Sequence, residues 1–443
     1  MKQTRNGLIA GFFISWLLRF FKYGSVFSRR VVNYGYRYKN GSDPMEPRTY
    51  TSKDREFWKI MLSLLLASLF IFANLYAVQP LLPLFVSEFG VSVQASSLSL
   101  SLAIIGLIIG LVVLGFFSDR NGRRTYIIYS LLGSALPFFL IPLFESFSWL
   151  LTLRFIQGFA LAGVPAAALA YISEEIDRKN IGFATALYIS SNALGGMAGR
   201  VLSGYLADHF SWQTTFIVFG AAGLLLFAAV FILLPKSRQF KPSNASFQKD
   251  LTGFFYHLKN PSLLVVFGLG AILQISFTGI WTYLPFYLEA PPYSLRLQTI
   301  SYFFFAYGIG IIGSPLAGRA AEKFGLRQVR RAGVFILSAG ILLTLSSSLW
   351  LIAAGLCTAC LGFFIAHSLT AASVSQQADH HKGSASSLYL VAYYIGVAAG
   401  SSLLSPLWAA GGWMGLVLTT ALLPLLYLAA LTIYRKKAAS ASH

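Results

Sequence analysis

What most constrains this chain is a succession of long apolar stretches separated by short loops. Hydropathy and helix breakers delimit twelve of them, at about 59–86, 94–117, 125–144, 149–173, 182–207, 213–234, 262–288, 297–318, 329–347, 350–376, 384–408 and 412–434. Each is roughly 19–28 residues long, enough for a helix to cross the ~30 Å hydrocarbon core of a bilayer. Lipid offers no partners for backbone amides, so such stretches fold as helices. Only 11% of the 443 residues are charged and 56% are hydrophobic. A soluble chain carries about 25% charged residues, so this one cannot coat itself for water. A two-domain soluble enzyme is excluded, and the fold class is an all-α, multi-pass membrane protein.

Every connection but one is short. The exception, Pro235–Pro261, carries Lys236, Arg238, Lys241, Lys249 and Lys259 among Pro, Ser and Asn. It divides six runs from six, and the expected organisation is a tail (1–56), a first bundle (57–234), a central loop (235–261), a second bundle (262–434) and a short tail (435–443). The net charge of +19 would point to nucleic acid in a soluble protein. Here the placement of the charges decides. Loops after even-numbered runs hold Arg120, Arg123, Arg124, Arg178, Lys179, the central set, Arg319, Lys323, Arg327, Arg330, Arg331 and Lys382, whereas those after odd-numbered runs hold only Arg296. Positive charge marks the cytoplasmic side, so both termini and the central loop are expected there. That asymmetry accounts for the basicity without a nucleic-acid partner; the expected partner is the lipid bilayer.

Gly7–Phe21 is apolar but too short to span and contains Arg19. No small-residue cleavage site follows, which argues against a signal peptide. It is either an interfacial helix or sequence translated ahead of a start at Met45. Cys357 and Cys360 form a CxxC inside an apolar run, where small packing residues are the better reading than a metal or redox pair. No metal or cofactor is expected.

Shifting the chain against itself by 201 positions aligns Trp149 with Trp350, Tyr188 with Tyr389, Gly195 with Gly396, Gly199 with Gly400 and Trp212 with Trp413. A shift of 203 then aligns the segment from Gly115 through Asp119 and Gly122 with the one from Gly318 through Glu322 and Gly325. Two like-oriented halves describe a parallel repeat about an axis along the membrane normal, with ligand sites between the halves near the midplane.

Those segments carry a resemblance. GFFSDRNGRR resembles the G-x-x-x-D-R-x-G-R-R signature of the major facilitator superfamily, with a weaker second copy after the eighth run, and LRFIQGFALAG resembles that family's second motif, with its membrane-embedded Arg. Fragments such as YISEEI, YISSNALGGMAGR, FFIAHS and ASSLYLVAYYIG are similar to the arabinose-efflux-permease-like group of bacterial inner-membrane transporters. The resemblance covers about residues 57–434. It implies a major-facilitator-type fold of twelve transmembrane helices in two six-helix pseudo-repeats. It further implies a monomeric, proton-coupled efflux permease for small solutes, working by alternating access. Uptake or facilitated passage of a sugar or organic anion is the alternative, and a non-transporting sensor a third reading.

In the first motif, Gly115 and Gly122 allow close helix approach and a tight turn. The resemblance implies that Asp119 latches the start of the eleventh helix, near Lys382–Ser387, when the protein faces outward. Arg120, Arg123 and Arg124 either serve that gate or only enforce topology. Gly318, Glu322 and Gly325 are the second copy, with Glu in place of Asp.

Arg154 lies about five residues into the fourth helix. A charge at the centre of lipid costs about 2.5–3.5 kcal/mol, so Arg154 should meet a partner, face a watery cavity, or snorkel to headgroups, and Gln157 is a further coupling or substrate candidate on the same helix. The resemblance implies a role in coupling or substrate binding. Asn192, Gly196 and Arg200 share one helix face, as a cavity wall or a close helix contact. The Gly-Pro signature of many antiporters is absent here, since Gly195-Gly196-Met-Ala-Gly199 lacks the Pro. His367 either relays protons or packs between helices. Gln274, Thr278 and Trp281 form one polar-aromatic stripe and Tyr389 and Tyr393 another, with Asn74 and Gln79 weaker candidates. None of the fifteen acidic residues sits mid-span. Two embedded arginines without an embedded acid favour an anionic or polyhydroxyl solute over a cation. No Gly-rich phosphate loop, metal cluster or nucleophile–base pair points to an enzyme, and gradients must supply the energy.

Overall fold

The computed structural model describes residues 49–243, 255–378 and 382–440. The apolar segment 7–21, the question of Met45 and residues 244–254 of the central loop lie outside these. Span 1 is Arg55–Tyr76 continued by Leu82–Phe89, span 2 Val93–Asn121, span 3 Arg123–Leu140, span 4 Phe147–Leu161 with Gly163–Glu175, span 5 Arg178–His209 and span 6 Trp212–Leu233. Span 7 is Pro261–Glu289, span 8 Leu297–Tyr302 with Tyr307–Phe324, span 9 Leu326–Leu343, span 10 Leu349–Gln377, span 11 Lys382–Ser402, and span 12 occupies most of Ser405–Ser440.

Nine of these are long and apolar enough to cross a membrane by length and composition. Spans 5, 9 and 11 are the more polar ones, and for a visible reason. Span 5 carries Asn192, five glycines and Arg200; span 9 opens with Arg327, Arg330 and Arg331; span 11 opens with Gly383 and three serines. Small and polar residues suit helices that face other helices rather than lipid.

Two expected boundaries move. The first run, read as continuous over 59–86, turns at residues 77–81 and restarts at Leu82. Pro80 and Pro83 have no amide proton to give to the preceding turn, which breaks the ladder there. The eleventh run, read to 408, stops at Ser402; Pro406 follows in the first turn of the next helix. That helix kinks at Gly412, whose φ of 55° suits a residue without a Cβ.

The internal repeat is realised in packing. Span 5 lies on span 1 with a Cβ added at Gly195 falling 2.3 Å from the Leu69 carbonyl, and span 11 lies on span 7 with one at Gly400 falling 2.6 Å from the Ile275 carbonyl. Between the halves, span 2 meets span 11 and span 5 meets span 8. Ser101 donates to the Ala398 carbonyl (3.1 Å) and meets Ser401 Oγ at 2.5 Å. Gln79 Nε2 donates to Thr282 Oγ1 at 3.0 Å, and Arg296 lies 2.9 Å from Asp208. These contacts sit toward the end of the bundle opposite the Arg-rich loops.

At the Arg-rich end a strap crosses the first half. Tyr50 pairs with the turn after span 4, its amide donating to the Glu175 carbonyl (2.8 Å) and its carbonyl accepting from Asp177 (2.9 Å). Burial pushes the Tyr50 phenol above its ordinary pKa. Glu175 Oε1 accepts from the amides of Arg238 (2.7 Å) and Gln239 (3.0 Å) and from the Ser237 hydroxyl. Tyr171 Oη donates to the Pro235 carbonyl at 2.8 Å. One carboxylate thereby ties the start of the central loop to the end of span 4.

Candidate functional site

The first motif folds back on its own half. Gly122 ends span 2 with φ 100° and Gly325 ends span 8 with φ 84°, backbone conformations that favour a residue without a Cβ. The close-approach role expected of Gly115 is not seen: a Cβ there would meet only Ala166 Cβ at 3.9 Å, and one at Gly318 meets nothing within 4 Å. The contact that needs a missing side chain lies deeper, at Gly106 and Gly158. There span 2 crosses span 4 so closely that a Cβ on Gly158 would fall 1.8 Å from the Ala103 carbonyl.

In this conformation the Asp119 carboxylate turns to Arg123, which also reaches Glu174 at 3.1 Å. The Asp119 carbonyl accepts from Ser243 of the central loop at 2.9 Å. Among the described residues Asp119 makes no ion pair with span 11, and the side chain of Lys382 lies outside these. Arg120 covers its own helix, donating to the Phe116 carbonyl at 2.8 Å. Arg124 donates to the carbonyls of Leu234 and Phe231, both at 2.8 Å, and so caps span 6 where its dipole is negative. Glu322 makes no ion pair among the described residues.

Arg154 is fully buried, 0% exposed, and neither snorkels nor faces water. Its guanidinium donates to the carbonyls of Leu75 (2.8 Å) and Ser99 (3.1 Å) and to Gln157 Oε1 (2.5 Å), with Asn74 at 3.4 Å. Gln157 and Asn74 each donate to the Ser134 carbonyl, at 2.8 and 3.1 Å. One cation thus joins spans 1, 2, 3 and 4. It has no carboxylate partner among the described residues, and its charge is met by carbonyl dipoles.

Arg200, 3% exposed, is held differently. Its Nε donates to Gln79 Oε1 at 2.6 Å and its Nη1 to the Gly196 carbonyl at 2.7 Å. The guanidinium lies over the rings of Tyr76 (4.0 Å) from span 1 and Tyr307 (4.6 Å) from span 8, with Phe304 at 5.4 Å. Cation–π attraction strengthens when both groups are desolvated. The Asn192 stripe is a close helix contact, since Asn192 Oδ1 accepts from Ser68 of span 1 and Gly196 abuts Tyr76. The Gln79–Thr282 bond continues from Arg200 to span 7, so this cation sits where the halves meet.

The second half brings its own candidates together. His367 Nδ1 lies 2.8 Å from Tyr389 Oη, and the imidazole stacks against Phe363 with Tyr393 tilted beside it. Trp281 is buried among Phe277, Phe304 and Tyr307. Gln274 Oε1 and Trp281 Nε1, two turns apart on span 7, are buried without hydrogen-bond partners among the described residues. Thr278 is buried on the same stripe. Cys360 is buried and Cys357 half-buried, and no metal-holding cluster is found among the described residues.

A sequence profile of the Major Facilitator Superfamily matches residues 64–401 and, in a second overlapping match, 293–442. The chain belongs to the Major Facilitator Superfamily. It is 36% identical to the uncharacterized MFS-type transporter YybF of Bacillus subtilis (strain 168), over 82% of this chain and 89% of that one. It is 35% identical to the inner membrane transport protein YnfM of Escherichia coli (strain K12), over 81% of this chain and 86% of that one. The crystal structure of a bacterial homologue of the human lysosomal transporter Spinster, in an inward-facing and unoccupied conformation, shares the fold. Its TM-score is 0.72 at 15% identity, over 86% of this chain and 96% of that one. Members of this superfamily are secondary transporters, and this multi-pass membrane protein is one.

Within the superfamily fold, several contacting residues were not singled out from sequence. Tyr76, Phe304 and Tyr307 around Arg200 are aromatics among the many in the chain, and only packing of spans 1, 5 and 8 selects them. Glu175 lies in the YISEEI fragment, where nothing in the sequence separates it from Glu174. Arg296 did carry a signal, as the lone cation on its side of the membrane.

Proposed function

We propose that this superfamily member carries a small anionic or polyhydroxyl solute out of a bacterium, across the inner membrane, in exchange for protons. Both termini and the Arg-rich loops would then be cytoplasmic. The carrying observation is Arg200: a buried cation between the halves, with dipoles and rings around it and no carboxylate partner among the described residues. A desolvated guanidinium attracts an anion or a hydroxyl-rich ligand and repels a cation. Gln274 Oε1 and Trp281 Nε1 add a buried acceptor and donor that a polar ligand would satisfy. The halves touch toward the end away from the Arg-rich loops, which fits a conformation open to the cytoplasm. Rocking them about Arg200 would expose it to the other side. In the absence of a mid-span acid, His367 with Tyr389 is the protonatable pair for coupling.

The test is thermal stabilisation of the detergent-purified protein across sugars, organic anions and lipophilic cations, because a ligand stabilises the state it binds by mass action. Organic anions or sugars should raise the melting temperature, and Arg200→Gln should abolish the shift. The hit is then loaded into proteoliposomes under an imposed pH gradient. Stabilisation by cations alone would overturn the substrate class, and flux indifferent to the gradient would overturn proton exchange.

A further inference from the structure

Beside the strap, away from Arg200 and next to the carbonyls of Phe231 and Leu234 that Arg124 holds, lies a cavity of about 300 Å³ between the start of span 1, the end of span 6 and the first residues of the central loop. Three cations line it, Lys59, Lys236 and Arg238, against one carboxylate, Glu56. None of the three makes an ion pair among the described residues. Arg238 is held in place by the ring of Tyr50, 5.1 Å from its guanidinium carbon. The remaining wall is apolar, with Ile232 and Leu233. Ile232 is 79% exposed and its chain neighbour Phe231 is exposed too, as is Trp58, which precedes Lys59 in the chain and is fixed by its indole N–H to the Ser52 carbonyl at 2.9 Å.

Cations in a concave site, an apolar wall open outward and a Trp at the same level are the surroundings of a lipid at the edge of the hydrocarbon core. The volume falls at the lower end of small-ligand pockets, about 300–1,000 Å³, enough for a head group while the acyl chains stay outside. We propose that this cavity binds the phosphate head group of an anionic phospholipid, with Lys59, Lys236 and Arg238 on the phosphate and an acyl chain along Ile232. Glu56 stands at the rim and sets a limit on how much negative charge enters. The occupant is a lipid rather than a free phosphate because the exposed wall of the cavity is apolar. A bound lipid would also cover the strap that Glu175 holds.

The full chain is placed in nanodiscs of phosphatidylcholine with graded phosphatidylglycerol, and retained lipid is counted by native mass spectrometry. The wild-type protein should retain phosphatidylglycerol in preference to phosphatidylcholine. Lys59→Gln with Lys236→Gln removes two cations without touching the Tyr50–Arg238 contact. It should weaken retention about thirtyfold, from the usual contribution per lysine at an anionic surface. Arg327→Gln with Arg331→Gln removes the same charge elsewhere at the Arg-rich end and should change retention less than threefold. Equal losses in the two variants would mean a general surface potential and overturn the site. So would the absence of any lipid preference in the wild-type protein, a measurement that needs no variant. Displacement of the lipid by millimolar inorganic phosphate would overturn the lipid and make a soluble anion the ligand.

Discussion

Asp208 closes span 5 and Arg296 precedes span 8, so their contact joins the halves at the end opposite the Arg-rich loops. The carboxylate is largely buried, 11% exposed, while the Arg296 side chain is 72% exposed. Nitrogen and oxygen are 2.9 Å apart, yet Asp208 Oδ2 is left without an aligned hydrogen bond. The attraction is therefore mainly Coulombic and partly screened, about 1 kcal/mol at the upper end for an exposed pair. Asp208→Asn should shift the equilibrium toward opening at that end about fivefold. Arg296→Gln should do more, because it leaves a buried carboxylate without its counter-charge, at about 1–3 kcal/mol, or about five- to a hundredfold. The double variant should resemble Asp208→Asn. Pulsed electron paramagnetic resonance between labels at Gln94→Cys and Ala290→Cys reads the distance across this end, with Cys357→Ser and Cys360→Ala removing the native thiols. A longer distance should gain population in the order given, and in 1 M salt the wild-type protein should move toward Asp208→Asn. Unchanged distributions for both single variants at low salt would refute the clasp.

Arg154→Ala should lower thermal stability in detergent by about 2–6 kcal/mol, because it leaves the buried carbonyls of Leu75 and Ser99 without this donor, at about 1–3 kcal/mol each; Arg154→Lys should recover only part, having lost the planar fork. Normal melting with transport lost would instead assign Arg154 to coupling. Glu175→Gln should free the start of the central loop, read as faster tryptic cleavage at Lys236 and Arg238 in the otherwise folded protein. Asp119→Asn should slow flux in proteoliposomes at normal membrane abundance, and unchanged turnover would defeat its gating role.

The sequence made the spans legible because lipid imposes one rule on every residue of a span. It was less informative where helix meets helix. The polar spans 5, 9 and 11 passed as spans only through their periodic apolar remainder. The breaks at Pro80 and Gly412 were visible as residues but not as turns. For the site, hydropathy marked Arg154 and Arg200 as anomalies. It could not say that one is locked inside a half and the other lies between halves, since that depends on which face of each helix meets which neighbour. Gly115 shows the reverse error: a glycine in a known motif suggests a close contact, and the crowded crossing is at Gly158.

The arrangement around Arg154 has a consequence for how the protein is made. Its acceptors at Leu75, Asn74 and Ser99 belong to spans that leave the ribosome before span 4. Alone at the centre of lipid, span 4 would carry a charge costing about 2.5–3.5 kcal/mol; delivered beside spans 1 and 2, each guanidinium nitrogen finds an acceptor there. Membrane entry of span 4 is thus conditional on its predecessors, and the bundle is wired to assemble in the order in which it is translated.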